Sequence, residues 1–238
     1  MCGIQAKIDK KVLVAALPIV MGYLPLGLAC GVLAGSVGLS AFDIFLMSVL
    51  VFAGSGQFIA LAMMGSGAAA MSSIILTTFI VNLRHLLYSS TLVRYIGSGS
   101  RGYQMAFAQE IVDETFAVNE NRFSDKRETW TMPQALGLAW TAHGAWIFST
   151  VLGQIVGSMI KFDINLVGYA LTAMFIGLWS FHFKNHRLII VGVFAGFLAL
   201  WLSTFLDYKL HIVVATVAAA TVGMLWESRA EERGNGPE

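Results

Sequence analysis

Residues 79–90, FIVNLRHLLYSS, set an amide, a guanidinium and an imidazole inside an otherwise apolar run. Helical spacing gathers Thr78, Asn82, His85 and Ser89 into one stripe. Thr77, Arg84, Tyr88 and Thr91 form a second stripe, roughly a third of a turn away. Such groups can bind a charged solute, pair with acids or pass a proton. None sits cheaply in lipid, where a central arginine costs about 2.5–3.5 kcal/mol. Arg84 lies past the middle of its segment and could snorkel in part, whereas Asn82 and His85 cannot reach far. This helix is therefore expected inside a bundle.

Acids follow in QMAFAQEIVDETFAVN, 104–119. As one helix, this segment gathers Glu110, Asp113 and Glu114 within about a third of its circumference, opposite Ala108, Ile111, Val112 and Thr115. An ion pair from Arg84 or His85 to one of these acids would offset the desolvation of both. Two readings stand side by side: a network that only holds helices together, or one with a member that binds substrate or exchanges a proton.

A second constellation is VFAGSGQFIALA, 51–62, where Gly54, Ser55 and Gly56 interrupt an apolar run and Gln57 follows. A break here would expose backbone N–H and C=O groups that suit a zwitterionic or anionic ligand. The alternative is unbroken packing through small residues. Pro18 and Pro25 are expected to kink the first helix, while Gly22, Gly27, Gly31 and Gly35 thin one side of it. His143 falls between Trp140 and Trp146 and reads as a core histidine bonded to a backbone carbonyl, with a proton relay as the alternative. Phe52, Phe58, Phe79, Trp140 and Trp146 could line a pocket for an apolar side chain.

The elements that must position these groups are read from composition. Of 238 residues, 57% are hydrophobic and 12% charged, against about 25% charged in soluble domains. Mean hydropathy is +0.72. This excludes an ordinary soluble fold and implies an all-α polytopic bundle in the lipid bilayer, since only helices satisfy the backbone there short of a closed barrel. Apolar segments fall near 12–36, 43–65, 69–96, 132–159, 163–182, 188–206 and 210–226. Counting 104–119 as a further crossing gives eight membrane elements; a surface helix there leaves seven. Eight crossings place Lys7, Lys10, Lys11, Arg122, Lys126, Arg127, Lys184, Arg187, Arg229 and Arg233 on the N-terminal side, against Arg94, Arg101, Lys161 and Lys209, ten against four. Positive-inside bias then favours eight, with a cytoplasmic N-terminus.

The chain is read as one transmembrane domain over 1–238, with halves about 11–120 and 130–226 and a polar tail, 227–238. A short echo between 37–52 and 156–171 suggests duplication, parallel or inverted. Ser40 and Asp43 fit a capping box. Net charge +1 implies no nucleic-acid partner. Cys2 and Cys30 show no disulfide or metal pattern, and Lys7, Lys10 and Lys11 precede a retained first helix rather than a cleaved leader. No metal, cofactor or catalytic nucleophile–base pair is expected, so an enzyme is not indicated.

PLGLACGVLAGSVGLS (25–40), VFAGSGQFIA (51–60), FIVNLRHLLYS (79–89) and QEIVDETFAV (109–118), in that order, resemble the AzlC/YgaZ family of large subunits of two-component branched-chain amino acid exporters. The resemblance covers about residues 10–226. It implies a prokaryotic plasma-membrane transporter working with a small hydrophobic AzlD/YgaH-type subunit, exporting leucine, isoleucine, valine and in some members methionine, driven by an ion gradient. Gly54, Ser55, Gly56 and Gln57 carry over as its central motif, and Asn82, Arg84, His85, Asp113 and Glu114 as its polar motifs. The resulting expectation is alternating access, with Gly54–Gln57 and Asn82 binding the solute. Asp113 or Glu114 would exchange a proton under the influence of Arg84 or His85. Glu110 is a further ion-pair candidate, and Pro25, Trp140 and His143 are secondary ones. A passive facilitator for small zwitterions and a structural assembly protein are the alternatives.

Overall fold

The computed structural model describes residues 6–65, 67, 70–96, 101–125, 129–159, 176, 186–205, 214–215 and 217–226. Regular structure among them is entirely helical. The chain divides into two compact units, 1–172 and 173–238. In the second, α8 (His186–Leu202) and α9 (Val217–Trp226) are apolar helices, and Val191 packs on Gly223. The second copy of the short echo from residue 160 onward and the tail 227–238 lie outside the described residues.

Among the described residues of the first unit, three helices are long and apolar enough to cross a membrane: α1 (Lys10–Ser36), α4 (Met71–Ile96) and α7 (Met132–Met159). Each spans about 40 Å at 1.5 Å per residue, more than the hydrocarbon core requires. Leu13, Leu17, Phe42, Leu50, Leu83, Leu86 and Phe148 are exposed, an apolar coat fit for lipid and not for water.

Helix α1 begins at Asp9, which accepts the Val12 N–H at 3.0 Å through one carboxylate oxygen and the Gln134 amide at 2.9 Å through the other. The Val12 bond is the main cause that holds the Asp9 carboxyl below its ordinary pKa. The Lys7 N–H donates to the Pro133 carbonyl at 2.7 Å, tying this start to the start of α7. From there the two helices rise together. Gly27 meets Ser149, Gly31 meets Thr150 and Gly153, and Val32 meets Gly157. A Cβ on Gly31 would lie 2.0 Å from the Thr150 carbonyl oxygen, so backbone touches backbone. Thus α1 and α7 are parallel. The small-residue face expected for α1 is real at Gly27 and Gly31, while Gly22 faces nothing within 4 Å. The helix runs through Pro18 and Pro25 without interruption.

The other elements are half-helices. Helix α2 (Ala41–Val51) opens with the Ser40–Asp43 capping box and runs antiparallel to α7. The Leu39 carbonyl accepts from Gln154 at 3.1 Å, and Ser48 meets Thr150 at 2.9 Å. Eleven residues cover about 16 Å, roughly half the core. The chain turns at Phe52, φ 34°, and Gly54, φ 44°, both left-handed. Helix α3 (Ser55–Gly65) then returns: Ser55 meets Arg84 near the middle of α4, and a Cβ on Gly65 would lie 3.0 Å from Val37, just past the end of α1.

The mirror-image event follows α4. Helix α5 (Arg101–Gln109) climbs to Leu50, whose carbonyl accepts from Gln109 at 2.9 Å. Residues 110–112 are not helical, and α6 (Asp113–Ser124) descends again. At its far end Tyr95 meets Ser124 at 3.1 Å and stacks on Phe123 at 4.7 Å. Trp130 donates to Asn119 at 3.0 Å there.

The all-α membrane bundle therefore stands, but two expectations about crossings are corrected. Segments 43–65 and 104–119 each enter to mid-depth and return. The glycines at 54 and 56 weaken helix continuity in the first. In the second, Asp113 and Glu114 favour the positive N-terminus of a new helix over the interior of an old one. Ile111 and Val112, expected opposite the acids on one continuous helix, lie in the non-helical tip and are buried. The sequence α1–α2–α3, one long helix and a hairpin, recurs inverted as α4–α5–α6. Arg94 and Arg101 consequently move to the end that holds Lys7, Lys10, Lys11 and Arg122.

Single cysteines in a chain lacking Cys2 and Cys30 test this path. Arg101→Cys and Ser124→Cys are expected to react with an impermeant maleimide from the same membrane face, and Ser36→Cys and Ala70→Cys from the opposite one. Labelling of Arg101→Cys and Ser124→Cys from different faces would mean that 101–124 crosses.

Candidate functional site

The two hairpin tips meet at mid-depth, and their backbone groups must be satisfied without bulk water. The break after Val51 leaves the last carbonyls of α2 without helical partners. His143 Nε2 donates to the Ser48 carbonyl at 2.9 Å, and Gln109 takes that of Leu50. At the second tip the Thr115 hydroxyl accepts the Val112 N–H at 2.9 Å and donates to the Glu110 carbonyl at 2.8 Å. Phe52, a side-chain-bearing residue in a left-handed conformation worth about 1–2 kcal/mol of strain, stacks on the His143 ring at 4.1 Å.

Around these tips lies a charged cluster. Arg84 Nη1 pairs with Asp113 Oδ2 at 2.7 Å, and Nη2 donates to the Ser55 hydroxyl. Tyr88 donates to the other Asp113 oxygen at 2.6 Å and stacks on Phe116 at 4.5 Å. Tyr23, near the middle of α1, donates to Glu114 at 2.8 Å. The second polar stripe of α4 thus supplies Arg84 and Tyr88, both on Asp113, and Asp113 and Glu114 also face the positive end of α6.

A second network is buried. Trp146 Nε1 donates to Gln57 Oε1 at 2.8 Å, Gln57 Nε2 donates to the Ser48 hydroxyl at 3.2 Å, and that hydroxyl meets Thr150. Gln57 and Ser48 are fully buried. Glu110 approaches His143 Nδ1 with both oxygens, at 2.9 and 3.1 Å.

Among the described residues, Asn82 Oδ1, Arg84 Nε and His85 Nε2 are buried without a hydrogen-bonding partner. Asn82 and Arg84 stand near the start of α3, at Gly56 and Ser55, and the His85 ring lies 6.2 Å from that of Tyr88. A Cβ on Gly56 would lie 2.8 Å from Asn82 Oδ1, so glycine lets the amide reach over that helix end. No acid occupies the first turn of α3. The Gly56 N–H is bonded to the Ala53 carbonyl, and those of Gln57 and Phe58 to the Gly54 carbonyl, so it is the guanidinium, the amide and the Ser55 hydroxyl that offer polar groups to a carboxylate and an ammonium group.

The structure brings Gly54, Ser55, Gly56, Asn82, Arg84, Asp113 and Glu114 together, with His85 one residue beyond Arg84. Gln57 sits behind them, its amide engaged at both ends. Glu110 meets His143 rather than Arg84 or His85. His143 does bond a backbone carbonyl. Pro25 is exposed on α1, and Trp140 is 41% and Phe79 62% exposed, so the expected aromatic pocket is corrected. Phe52, Phe58 and Trp146 gather instead around Tyr23, whose ring lies 5.1 Å from Trp146. Tyr23, Ser48, Gln109 and Thr150 were not singled out. Tyr23, Ser48 and Thr150 lie in apolar runs with no local charge signal, Gln109 stands beside Glu110 without a charge of its own, and only the hairpin path brings them to the tips.

Comparison with known proteins gives the following. The family model described as AzlC protein matches residues 18–160, which contain both hairpins. An uncharacterized membrane protein of Archaeoglobus fulgidus is 30% identical, over 91% of this chain and 92% of its own. The inner membrane protein YgaZ of Escherichia coli is 29% identical over 76% and 78%. The branched-chain amino acid transport protein AzlC of Bacillus subtilis is 33% identical over 67% and 62%. No solved structure matches.

The Arg84–Asp113 pair yields a stability test. Asp113→Asn, which leaves the guanidinium without its counter-charge, is expected to cost about 2 kcal/mol, less than a fully buried pair because both side chains are partly exposed. Thermal unfolding in detergent reads this loss. Arg84→Met combined with Asp113→Leu is expected to recover about half of it or more.

Proposed function

This chain belongs to the AzlC family, and on that premise we propose that it is the large subunit of a secondary transporter that exports branched-chain amino acids. The cargo is leucine, isoleucine, valine and methionine. It works in a prokaryotic plasma membrane with a small AzlD/YgaH-type hydrophobic subunit, driven by an ion gradient. The name of the Bacillus subtilis relative supports the substrate class.

The observation that carries the reading is the set of buried polar atoms without partners on Asn82, Arg84 and His85, which line the proposed recess. Helix ends at the centre of a bilayer, formed by inverted elements, are how transporters receive small zwitterions. The substrate carboxylate rests beside the Arg84 guanidinium and the Ser55 hydroxyl. The ammonium group faces Asn82 Oδ1 and Asp113. The side chain lies against Phe58, Trp146 and Ala53, where each buried CH₂ contributes about 0.8 kcal/mol. Such modest attraction suits cargo that must be released. Gln57 acts by holding α3 against Trp146 and Ser48.

The basic residues at the N-terminal end of α1 and α7 favour a cytoplasmic N-terminus. In that orientation α5–α6 opens toward the cytoplasm and α2–α3 toward the outside. Alternating access then consists of moving one hairpin at a time away from the recess.

Cells fed dipeptides and expressing the chain with its small partner subunit are expected to release leucine, isoleucine, valine and methionine faster than cells carrying an empty vector. Gly56→Ala pushes a methyl group at Asn82 and is expected to cut this efflux about fivefold at equal membrane abundance. Efflux equal to the empty vector for all four amino acids removes the reading. Flux that keeps rising with substrate concentration and ignores the ion gradient indicates a passive facilitator.

A further inference from the structure

The contacts of His143 set a proton count. Its Nε2 lies 2.9 Å from the Ser48 carbonyl oxygen, which can only accept, so Nε2 carries a hydrogen. Its Nδ1 lies 2.9 and 3.1 Å from the two Glu110 oxygens. One proton must lie between ring and carboxyl for this contact to attract. It can sit on Nδ1, giving imidazolium and carboxylate, or on Glu110, giving neutral ring and acid. Either way the pair holds the same number of protons and is neutral overall. Remove that proton, and the Nδ1 lone pair faces a carboxylate with no hydrogen between them.

The position of the pair gives the count a consequence. Glu110 is the first residue of the α5–α6 tip, and the Ser48 carbonyl belongs to the last turn of α2, just before the α2–α3 tip. His143 lies on α7, the helix backed against α1. The Phe52 ring that stacks on the imidazole is itself in the first tip. One imidazole thus joins both hairpins to one long helix. Both side chains are about nine-tenths buried.

We propose that Glu110 and His143 form a one-proton latch that closes both hairpin tips onto α7, and that this pair is the proton-binding site through which transport is coupled. The second clause rests on the transport reading above; the first does not. Asp113 and Glu114, the acids first expected to exchange the proton, are already committed to Arg84 and Tyr88, and to Tyr23.

The groups that face the pair are accounted for. From α2 comes the Ser48 carbonyl, and from the first tip the Phe52 ring. From α3 comes the Gln57 amide, bonded to Trp146 and Ser48. Tyr23 on α1 lies 6.3 Å from Phe52, ring to ring, and its hydroxyl is on Glu114. Arg84, His85 and Tyr88 on α4, with Asp113 and Glu114 on α6, make up the adjoining charged cluster. The sign follows from the count. Above the ordinary imidazole pKa of about 6.5 the open pair is a neutral ring and a carboxylate and holds one proton fewer than the closed latch, so closure is lost as pH rises. From there upward the closed-to-open ratio falls by about tenfold per pH unit.

Hydrogen–deuterium exchange of the full chain in lipid nanodiscs tests the latch. Peptides covering 46–56 and 105–116 are followed over the range in which histidine and carboxylate pairs titrate, roughly pH 5 to 8, with base-catalysed exchange corrected. Protection of both segments is expected to fall together, by about tenfold per pH unit at the upper end, while 146–156 of α7 keeps its protection. Glu110→Gln supplies an uncharged donor to Nδ1 and is expected to abolish the pH dependence. Protection that ignores pH in the wild type, a response in only one segment, or dependence that persists in Glu110→Gln overturns the latch. If Glu110→Gln does not fold, the two wild-type segments decide.

The coupling clause is read in proteoliposomes. In Glu110→Gln the ratio of proton-driven net efflux to amino acid exchange is expected to fall about tenfold; an unchanged ratio overturns it. Wild-type vesicles without flux of any amino acid would count against the transport reading and would leave the exchange result standing.

Discussion

A peptide group in the middle of a bilayer has no water to bond, and the first unit of this protein is organised around that scarcity. Two helical hairpins expose their ends there, from opposite sides. Every carbonyl left by an interrupted helix needs a donor brought from elsewhere. His143 and Gln109 are such donors, and their side chains sew one tip to the other. Thr115 does the same work locally at the second tip. The tips can exist at mid-depth because these partners are in reach.

Against that background the charged side chains fall into two groups with different neighbours. Arg84, Asp113, Tyr88 and Glu114, partly exposed, form a cluster with the buried Tyr23 beside the start of α3. Glu110 and His143 form a buried couple behind it, next to the amide and hydroxyl chain of Gln57, Ser48 and Thr150. The first group retains polar atoms in want of partners. The second has its bonding capacity nearly filled. A site that receives a solute fits the former, and a site that holds a single hydrogen fits the latter.

Much of this was legible in the residues, and the illegible part has a physical cause. Composition alone implied a helical membrane protein. The polar stripes of α4 correctly marked the helix face turned inward, and pairing of Arg84 with a nearby acid followed from the cost of burying either alone. The doubled glycine at 54 and 56 showed where a helix could break. What local pattern could not reveal was direction after the break. A chain that continues and a chain that doubles back share the same apolar run. The charge count was misled in the same way, because it treated every apolar run of crossing length as a crossing. Contacts far apart in sequence, such as Glu110 with His143 or Ser48 with Thr150, depend on that direction and carry no trace in residue spacing.

The close seam between α1 and α7 limits what can move. At Gly31 the two backbones touch with no side chain between them, and glycines recur along the seam at positions 27, 153 and 157. Sliding one helix past the other would drive Leu28 or Val32 into a neighbouring main chain. Those two helices therefore behave as a fixed spine. The hairpins are attached to it by side-chain bonds that can be exchanged, one reaching in from each end of the spine.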